Sequence, residues 1–262
     1  MGSSSPVLMY HSIAAEPVRA TRRLAVSPSA LTEQLAWLTD HGFTAMTFFD
    51  AAQALRISDL PDRTVVLTFD DGYADFATTA LPLLQRFGYP ATLFVTTGWV
   101  ADAGANSAGR PLDRTLRWEQ IRDISETGIE IGAHGHSHAA LDELADDDLR
   151  MELTHSRALL EDCIGKPVPT LAYPFGYSNP RVRRAAKAAG YSYGAAVRNI
   201  RATPATDPFR VPRLTIRRNT GPALFAEAVG GSGGGIMPLF WRDRAMTAGW
   251  AVVRRARQAW RR

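Results

Sequence analysis

Two adjacent carboxylates, Asp70 and Asp71, end the apolar run Thr64-Val65-Val66-Leu67-Thr68-Phe69 and precede Gly72. The run is β-branched and aromatic, which predicts a buried strand, and Gly72 breaks it. Two neighbouring carboxylates buried without a strong partner would be costly. A cation therefore belongs beside them, and a divalent metal is the simplest candidate. One Asp would ligate it while its neighbour, pointing elsewhere, handles protons. Taken alone, an Asp-Asp-Gly after a strand also serves as a turn or a helix cap.

The second group lies in Ile129-Glu130-Ile131-Gly132-Ala133-His134-Gly135-His136-Ser137-His138, where three of the six histidines fall within five positions. It repeats the layout of an apolar strand with polar residues at its end. Neutral imidazole is the commonest borderline ligand, and a carboxylate completes an N/N/O set suited to Zn²⁺. His134 and His138 are four apart, which on a helical turn puts both on one face with His136 pointing away. Histidine-rich stretches also occur as solvated loops. Two such groups, each at a predicted strand end, favour the metal.

These residues resemble the motifs of the polysaccharide deacetylases, carbohydrate esterase family four. Thr68-Phe69-Asp70-Asp71-Gly72 is similar to the first motif, and Ile131-Gly132-Ala133-His134-Gly135-His136-Ser137-His138 to the second. Tyr173-Pro174-Phe175-Gly176 resembles the third, and Asp207-Pro208-Phe209-Arg210-Val211-Pro212-Arg213-Leu214 a stretch that follows it in many members. The opening Pro6-Val7-Leu8-Met9-Tyr10-His11-Ser12-Ile13 resembles a subgroup acting on extracellular poly-N-acetylglucosamine and related glycans. The resemblance spans roughly residues 6–216. Three departures stand out. Gly135 replaces the usual hydroxyl residue, the third motif lacks its Arg, and no late Leu-His-Asp motif supplies a general acid.

The resemblance implies Asp71, His134 and His138 as ligands of one divalent ion, Zn²⁺ first, with Co²⁺, Ni²⁺ or Mn²⁺ able to serve. It implies Asp70 as general base, the backbone N–H of Tyr173 as oxyanion donor, and His11 as the acid that protonates the departing amine. Arg213 follows a proline at a predicted strand start. It is the candidate cation to hold Asp70 ionised in place of the missing Arg; the alternative is an Arg that merely covers the barrel end. The expected reaction is hydrolysis of an N-acetyl group on an N-acetylhexosamine-containing glycan or glycan precursor. O-acetyl ester hydrolysis, as on acetylated xylan, would use the same residues. A silent glycan-binding module is the non-enzymatic alternative, and the intact Asp70, Asp71, His134 and His138 set argues against it.

The elements that must position these groups alternate along the chain. Strand-like runs are 7–10, 44–47, 65–69, 91–95, 129–133, 170–173, 193–197 and 213–216; helix-like runs are 29–41, 49–54, 74–87, 118–127, 146–164 and 180–189. Several helices end in Gly, as a left-handed C-cap prefers. Repeating strand–helix units imply an α/β fold with a parallel sheet or barrel. Within a barrel, His11, Asp70-Asp71, His134 and Tyr173 all follow strand C-termini and meet on one face. The resemblance implies a distorted (β/α)7 barrel; pattern alone leaves an open doubly wound sheet as the alternative. The Gly/Ala/Asn/Asp-rich loop 100–114 either shapes a substrate groove or is a mobile insertion.

At 262 residues the chain suits one catalytic domain, 6–229, a Gly-rich linker, 230–235, and a basic tail, 236–262. The single Cys163 gives no sign of an oxidised compartment. Met1-Gly2-Ser3-Ser4-Ser5 has neither a basic nor an apolar leader segment, so a cytoplasmic location is expected. The net charge of +4 is uneven, with arginines gathered in 198–218 and in the tail. The tail interleaves Trp241, Trp250 and Trp260 with these arginines. It is expected either to pack back onto the barrel as a helix or to contact anionic membrane peripherally. No nucleic-acid motif or aromatic platform accompanies the basic charge, so nucleic acid is not an expected partner.

Overall fold

Eight strands form where β-branched and aromatic residues run together. A computed structural model describes residues 4–230, so the linker beyond Gly230 and the tail lie outside the described residues. The strands are β1 (Val7–Tyr10), β2 (Thr44–Met46), β3 (Thr64–Phe69), β4 (Thr92–Val95), β5 (Glu130–Ala133), β6 (Thr170–Ala172), β7 (Tyr193–Val197) and β8 (Val211–Thr215). The helices are α1 (Pro28–Asp40), α2 (Phe48–Arg56), α3 (Leu81–Phe87), α4 (Trp118–Ser125), α5 (Asp146–Ile164), α6 (Pro180–Ala188) and α7 (Pro222–Gly230). Among the described residues, no helix is long and apolar enough to cross a membrane.

All strand pairs are parallel, and the sheet closes because β1 joins both β8 and β3. Val66 pairs with Val7 of β1 and Met46 of β2, while Thr68 pairs with Met9 of β1 and Thr92 of β4. Hence β2 and β4 share one edge of β3, and seven strands form the closed ring with β2 appended at its N-terminal end. This is the expected (β/α)7 barrel, not an open sheet. It is distorted at the β5–β6 seam, where only Ala133 and Leu171 are in register.

Period-two alternation sorts each strand into two faces. Val7, Val66, Phe94, Ala172, Ala195 and Val211 point inward and pack with Phe48, Ala51, Ala52 and Leu55 of α2. Their neighbours Leu8, Leu67, Leu93, Leu171 and Leu214 face the surrounding helices. Helix α2 therefore plugs the N-terminal end of the barrel. Its first amides are taken by Thr92 Oγ1 (to Phe48 N, 2.8 Å) and by the Glu130 carboxylate (to Phe49 N, 2.9 Å). With that end filled, chemistry is confined to the C-terminal mouth.

Two elements differ from expectation. The helix expected over 74–87 is divided into a π-helical turn, Phe76–Ala80, and α3. Pro82 lacks an N–H for the i−4 carbonyl, which disturbs the ladder there. Helix α7 was not anticipated; its sequence is almost uniformly apolar and gives no helical stripe. It packs on α1, with Phe225 edge-on to Trp37 at 5.8 Å.

Phe94 links plug and site, packing edge-on to Phe48 at 5.5 Å while the Arg213 guanidinium lies over its ring, also at 5.5 Å. Phe94→Ala should destabilise the protein by about 3–5 kcal/mol, the usual cost of an aromatic cavity. Urea unfolding checks this; a loss below about 1 kcal/mol would mean that the plug does not depend on this contact.

Candidate active site and metal centre

The site is assembled from loops that leave β1, β3, β4, β5 and β6. Asp70 and Asp71 are both buried, yet they meet different partners. Asp70 continues the inward face of β3 and is held by Arg213, which is fully buried on β8. The ion pair is bidentate, Nη1 to Oδ1 at 2.6 Å and Nη2 to Oδ2 at 2.8 Å, and Nη1 also donates to Thr68 Oγ1 at 3.1 Å. Burial would raise the Asp70 carboxyl, but the charge and hydrogen bonds of Arg213, aided by His134, bring it below its ordinary value. Asp70 is thus kept as a carboxylate.

Asp71 turns the other way because its backbone is left-handed (φ 76°). Its Oδ1 lies 3.3 Å from His138 Nε2 and 3.5 Å from His134 Nε2. These separations exceed a normal hydrogen bond, and Oδ1 is buried with no hydrogen-bond partner among the described residues. They match the edge of a tetrahedron, about 3.3–3.4 Å for bonds of about 2.0–2.1 Å to zinc. Ligand atoms of Asp71, His134 and His138 all lie within 4.8 Å of one another, the one such group found among the described residues. His134 Nδ1 donates to Ala172 O at 2.8 Å across the loose β5–β6 seam, which leaves Nε2 as the free lone pair. Burial pushes the His134 pKa down to about 4, so the ring is neutral and ligand-competent at pH 7. An N/N/O set with an orphaned carboxylate oxygen at its centre fits a divalent metal.

The histidine spacing operates differently from expectation. Residues 134–138 are a loop rather than a helical turn, with Gly135 (φ 73°) and His138 (φ 61°) left-handed. Glu152 of α5 holds this loop: Oε2 accepts from His136 N at 2.7 Å and Ser137 N at 3.0 Å, and Oε1 accepts from the Ser137 hydroxyl. A Cβ at Gly135 would come within 3.2 Å of Glu152 Oε2, so glycine at this departure suits both the conformation and the space. His136 does point away, its Nδ1 2.8 Å from Thr97 Oγ1.

His11 follows β1 at the same mouth, close enough to add to the Arg213 contact that holds Asp70 low and to the His138 contact that holds Asp71 low. Its Nδ1 is buried without a hydrogen-bond partner among the described residues. Tyr173 requires a correction. Its N–H donates to Ala195 O at 3.1 Å and belongs to the barrel ladder, so it is not available to an oxyanion. Its ring is buried in the helix-side core, with the hydroxyl donating to Phe209 O at 2.9 Å. Strand β6 is assigned to Thr170–Ala172, one residue short of the expected run 170–173, but its ladder still takes the Tyr173 amide.

Sequence reasoning missed Trp99 and Phe175. Trp99 stacks on His138 (4.7 Å, 26°), and Phe175 meets the same ring edge-on (4.7 Å, 72°) from a left-handed, half-exposed position. Trp99 carries no spacing signal, and Phe175 lies within Tyr173-Pro174-Phe175-Gly176 without its ring being singled out; only the fold brings them together. Loop 100–114 is no loose insertion. Ala74 N bonds Arg114 O (2.9 Å), Leu116 N bonds Gly72 O (2.9 Å), and Ala108 N bonds Gly98 O (3.0 Å), whose own N–H reaches His136 O (2.8 Å). The loop ties the aspartate motif to the histidine motif.

The fold and these motifs define a family. The model for polysaccharide deacetylases matches residues 57–194, just over half of the chain, and the chain belongs to that family. His11 and Arg213 lie outside the matched segment. YxkH of Bacillus subtilis is 30% identical over 190 residues, 72% of this chain and 63% of YxkH. The poly-β-1,6-N-acetyl-D-glucosamine N-deacetylase of Escherichia coli (strain K12) is 36% identical over 120 residues, 43% of this chain. The chain thus spans less than two thirds of YxkH and only 18% of the E. coli relative. Among solved structures, the Streptococcus pyogenes deacetylase PplD in complex with acetate superposes with a TM-score of 0.79 and 25% identity, covering 87% of this chain and 99% of PplD.

Two tests follow from this geometry. His134→Ala and His138→Ala should abolish tight divalent-metal binding, while His136→Ala should keep about one ion per chain; metal analysis after dialysis decides, and the reverse pattern would refute the ligand set. Arg213→Met leaves the Asp70 carboxylate buried and unpaired, and should cost about 3–5 kcal/mol. Adding Asp70→Asn should return part of that loss in a double-mutant cycle; simple additivity would mean the two do not act as a pair.

Proposed function

We propose that this chain is a metal-dependent deacetylase that hydrolyses N-acetyl groups on an N-acetylhexosamine-containing glycan. The carrying observation is the divergence of two adjacent carboxylates, one paired with a buried guanidinium and one aimed at two imidazoles. The named activity of the E. coli relative supports the glycan and the N-acetyl bond.

Asp71, His134 and His138 would hold the ion, for which Zn²⁺ best suits the N/N/O set. When bound, a divalent ion supplies Lewis-acid polarisation and lowers the pKa of water. Asp70 is the base. Arg213 keeps it ionised, fixes both its oxygens, and leaves their remaining lone pairs to take a proton from water. His11 gives a proton to the departing amine nitrogen, without which an amide does not expel its leaving group at neutral pH. With the Tyr173 amide committed to β6, oxyanion stabilisation falls to the turn that follows, where Phe175 stands against His138. Trp99 and Phe175 bracket the His138 ring and keep it from rotating out of the site.

The roles separate experimentally. Asp70→Asn should abolish acetate release from an N-acetylglucosamine oligomer while metal is retained, whereas Asp71→Asn should lose the metal. His11→Ala should cut amide turnover by roughly 10²–10⁴-fold, the scale of a general acid, and spare an activated acetyl ester. Equal metal loss in both aspartate variants, or greater activity on acetyl xylan than on the oligomer, would contradict the assignment.

A further inference from the structure

The His11 ring has a problem that its backbone solves. General acids are commonly oriented through their second ring nitrogen, but His11 Nδ1 is buried with no hydrogen-bond partner among the described residues. The ring is therefore not oriented from its far side by a protein acceptor. The chain on either side of it is instead fastened to the segment that carries the aspartates. Before His11, Tyr10 O accepts from Asp70 N at 3.0 Å. After it, the Asp75 carboxylate oxygen Oδ2 accepts from Ser12 Oγ at 2.6 Å and from Ile13 N at 3.0 Å. Ser12 and Ile13 are both fully buried. Ser12 O and Ala14 N then bond to Val26, so the loop leaving β1 has little freedom once Asp75 holds it.

We propose that Asp75 is a positioning residue for the reaction, clamping the His11 segment onto the same six-residue stretch, 70–75, that bears Asp70 and Asp71. Acid, base and metal-facing carboxylate are thereby set relative to one another by a single short piece of chain. Asp75 stands at the start of the π-helical turn Phe76–Ala80, a wide turn of the kind often found at functional sites. Its second oxygen, Oδ1, is buried without a hydrogen-bond partner among the described residues, so the clamp consists of two hydrogen bonds, from the Ser12 hydroxyl and the Ile13 amide to Oδ2. The hydrogen bonds of Asp75 go to Ser12 and Ile13, the two residues that follow His11; it acts through His11.

This inference rests on His11 being the general acid, and the test keeps the two apart. The metal-loaded protein is assayed on an N-acetylglucosamine oligomer, whose amine must be protonated, and on 4-nitrophenyl acetate, whose leaving group need not be. Asp75→Ala should lower kcat on the oligomer by roughly 10–100-fold, the scale of a catalytic group displaced by about 1 Å. KM, metal content and ester hydrolysis should change little. Asp75→Asn keeps an oxygen that accepts from Ile13 N, and should recover most of the loss. In a His11→Ala background, Asp75→Ala should add no further selective loss. Equal damage to both substrates, loss of metal, or no effect in Asp75→Ala would overturn the proposal. Should Asp75→Ala fail to fold, Ser12→Ala removes one arm of the clamp and must show the same selectivity in milder form; equal losses there overturn it too. If His11→Ala itself hurts both substrates alike, the acid assignment fails and the clamp loses its object. If His11→Ala is selective and Asp75→Ala is not, only the clamp is wrong.

Discussion

Two carboxylates side by side are costly to bury without cationic partners, and the rest of the mouth is arranged around that constraint. The bidentate Arg213–Asp70 pair supplies one. It lies inside the barrel, with the guanidinium against Phe94 and Phe94 against the α2 plug. A buried ion pair is weak evidence for stability, because desolvation offsets much of its attraction. Its use here is in chemistry: it fixes Asp70 as a carboxylate and occupies one side of both oxygens. Asp71 is left to face His134 and His138, its buried Oδ1 3.5 Å and 3.3 Å from their Nε2 atoms.

Backbone conformation makes that separation possible. Of six non-glycine residues with positive φ among those described, three are at the site: Asp71, His138 and Phe175. Such residues are uncommon, and for a bulky residue the conformation is strained. Each reverses the direction in which an extended chain would aim its side chain. The surrounding contacts hold them there, through Glu152 under the histidine loop and loop 100–114 across the aspartate loop. The site is thus rigid on the side of the metal ligands, and Asp75 extends the same logic to the acid.

The sequence made much of this legible, and the failures are instructive. All eight strands were readable because buried parallel strands are continuous runs of β-branched and aromatic residues, and the motifs fell at their ends. Arg213 admits two readings, partner of Asp70 or cover of the barrel end, and the structure pairs it with Asp70. The i, i+4 spacing of His134 and His138 pointed to two rings that do converge on Asp71, but a glycine-turned loop and not a helix brings them together. Tyr173 ends the expected run 170–173, and the ladder bond from its N–H to Ala195 O commits that amide to the sheet rather than to the site. Trp99, Glu152 and Asp75 carry no spacing signal, and Phe175 passed as one member of the third motif. Their roles exist only through contacts between loops distant in sequence.

The central claim is that Arg213 holds Asp70 out of the metal's coordination while Asp71, His134 and His138 enter it. Anomalous diffraction at the zinc edge, from crystals of the zinc-loaded protein, tests this directly. The account predicts one strong peak at about 2.0–2.2 Å from Asp71, His134 Nε2 and His138 Nε2, with Arg213 still bidentate on Asp70. A peak coordinated by Asp70 or by His136, or an Asp70 released from Arg213, would contradict it.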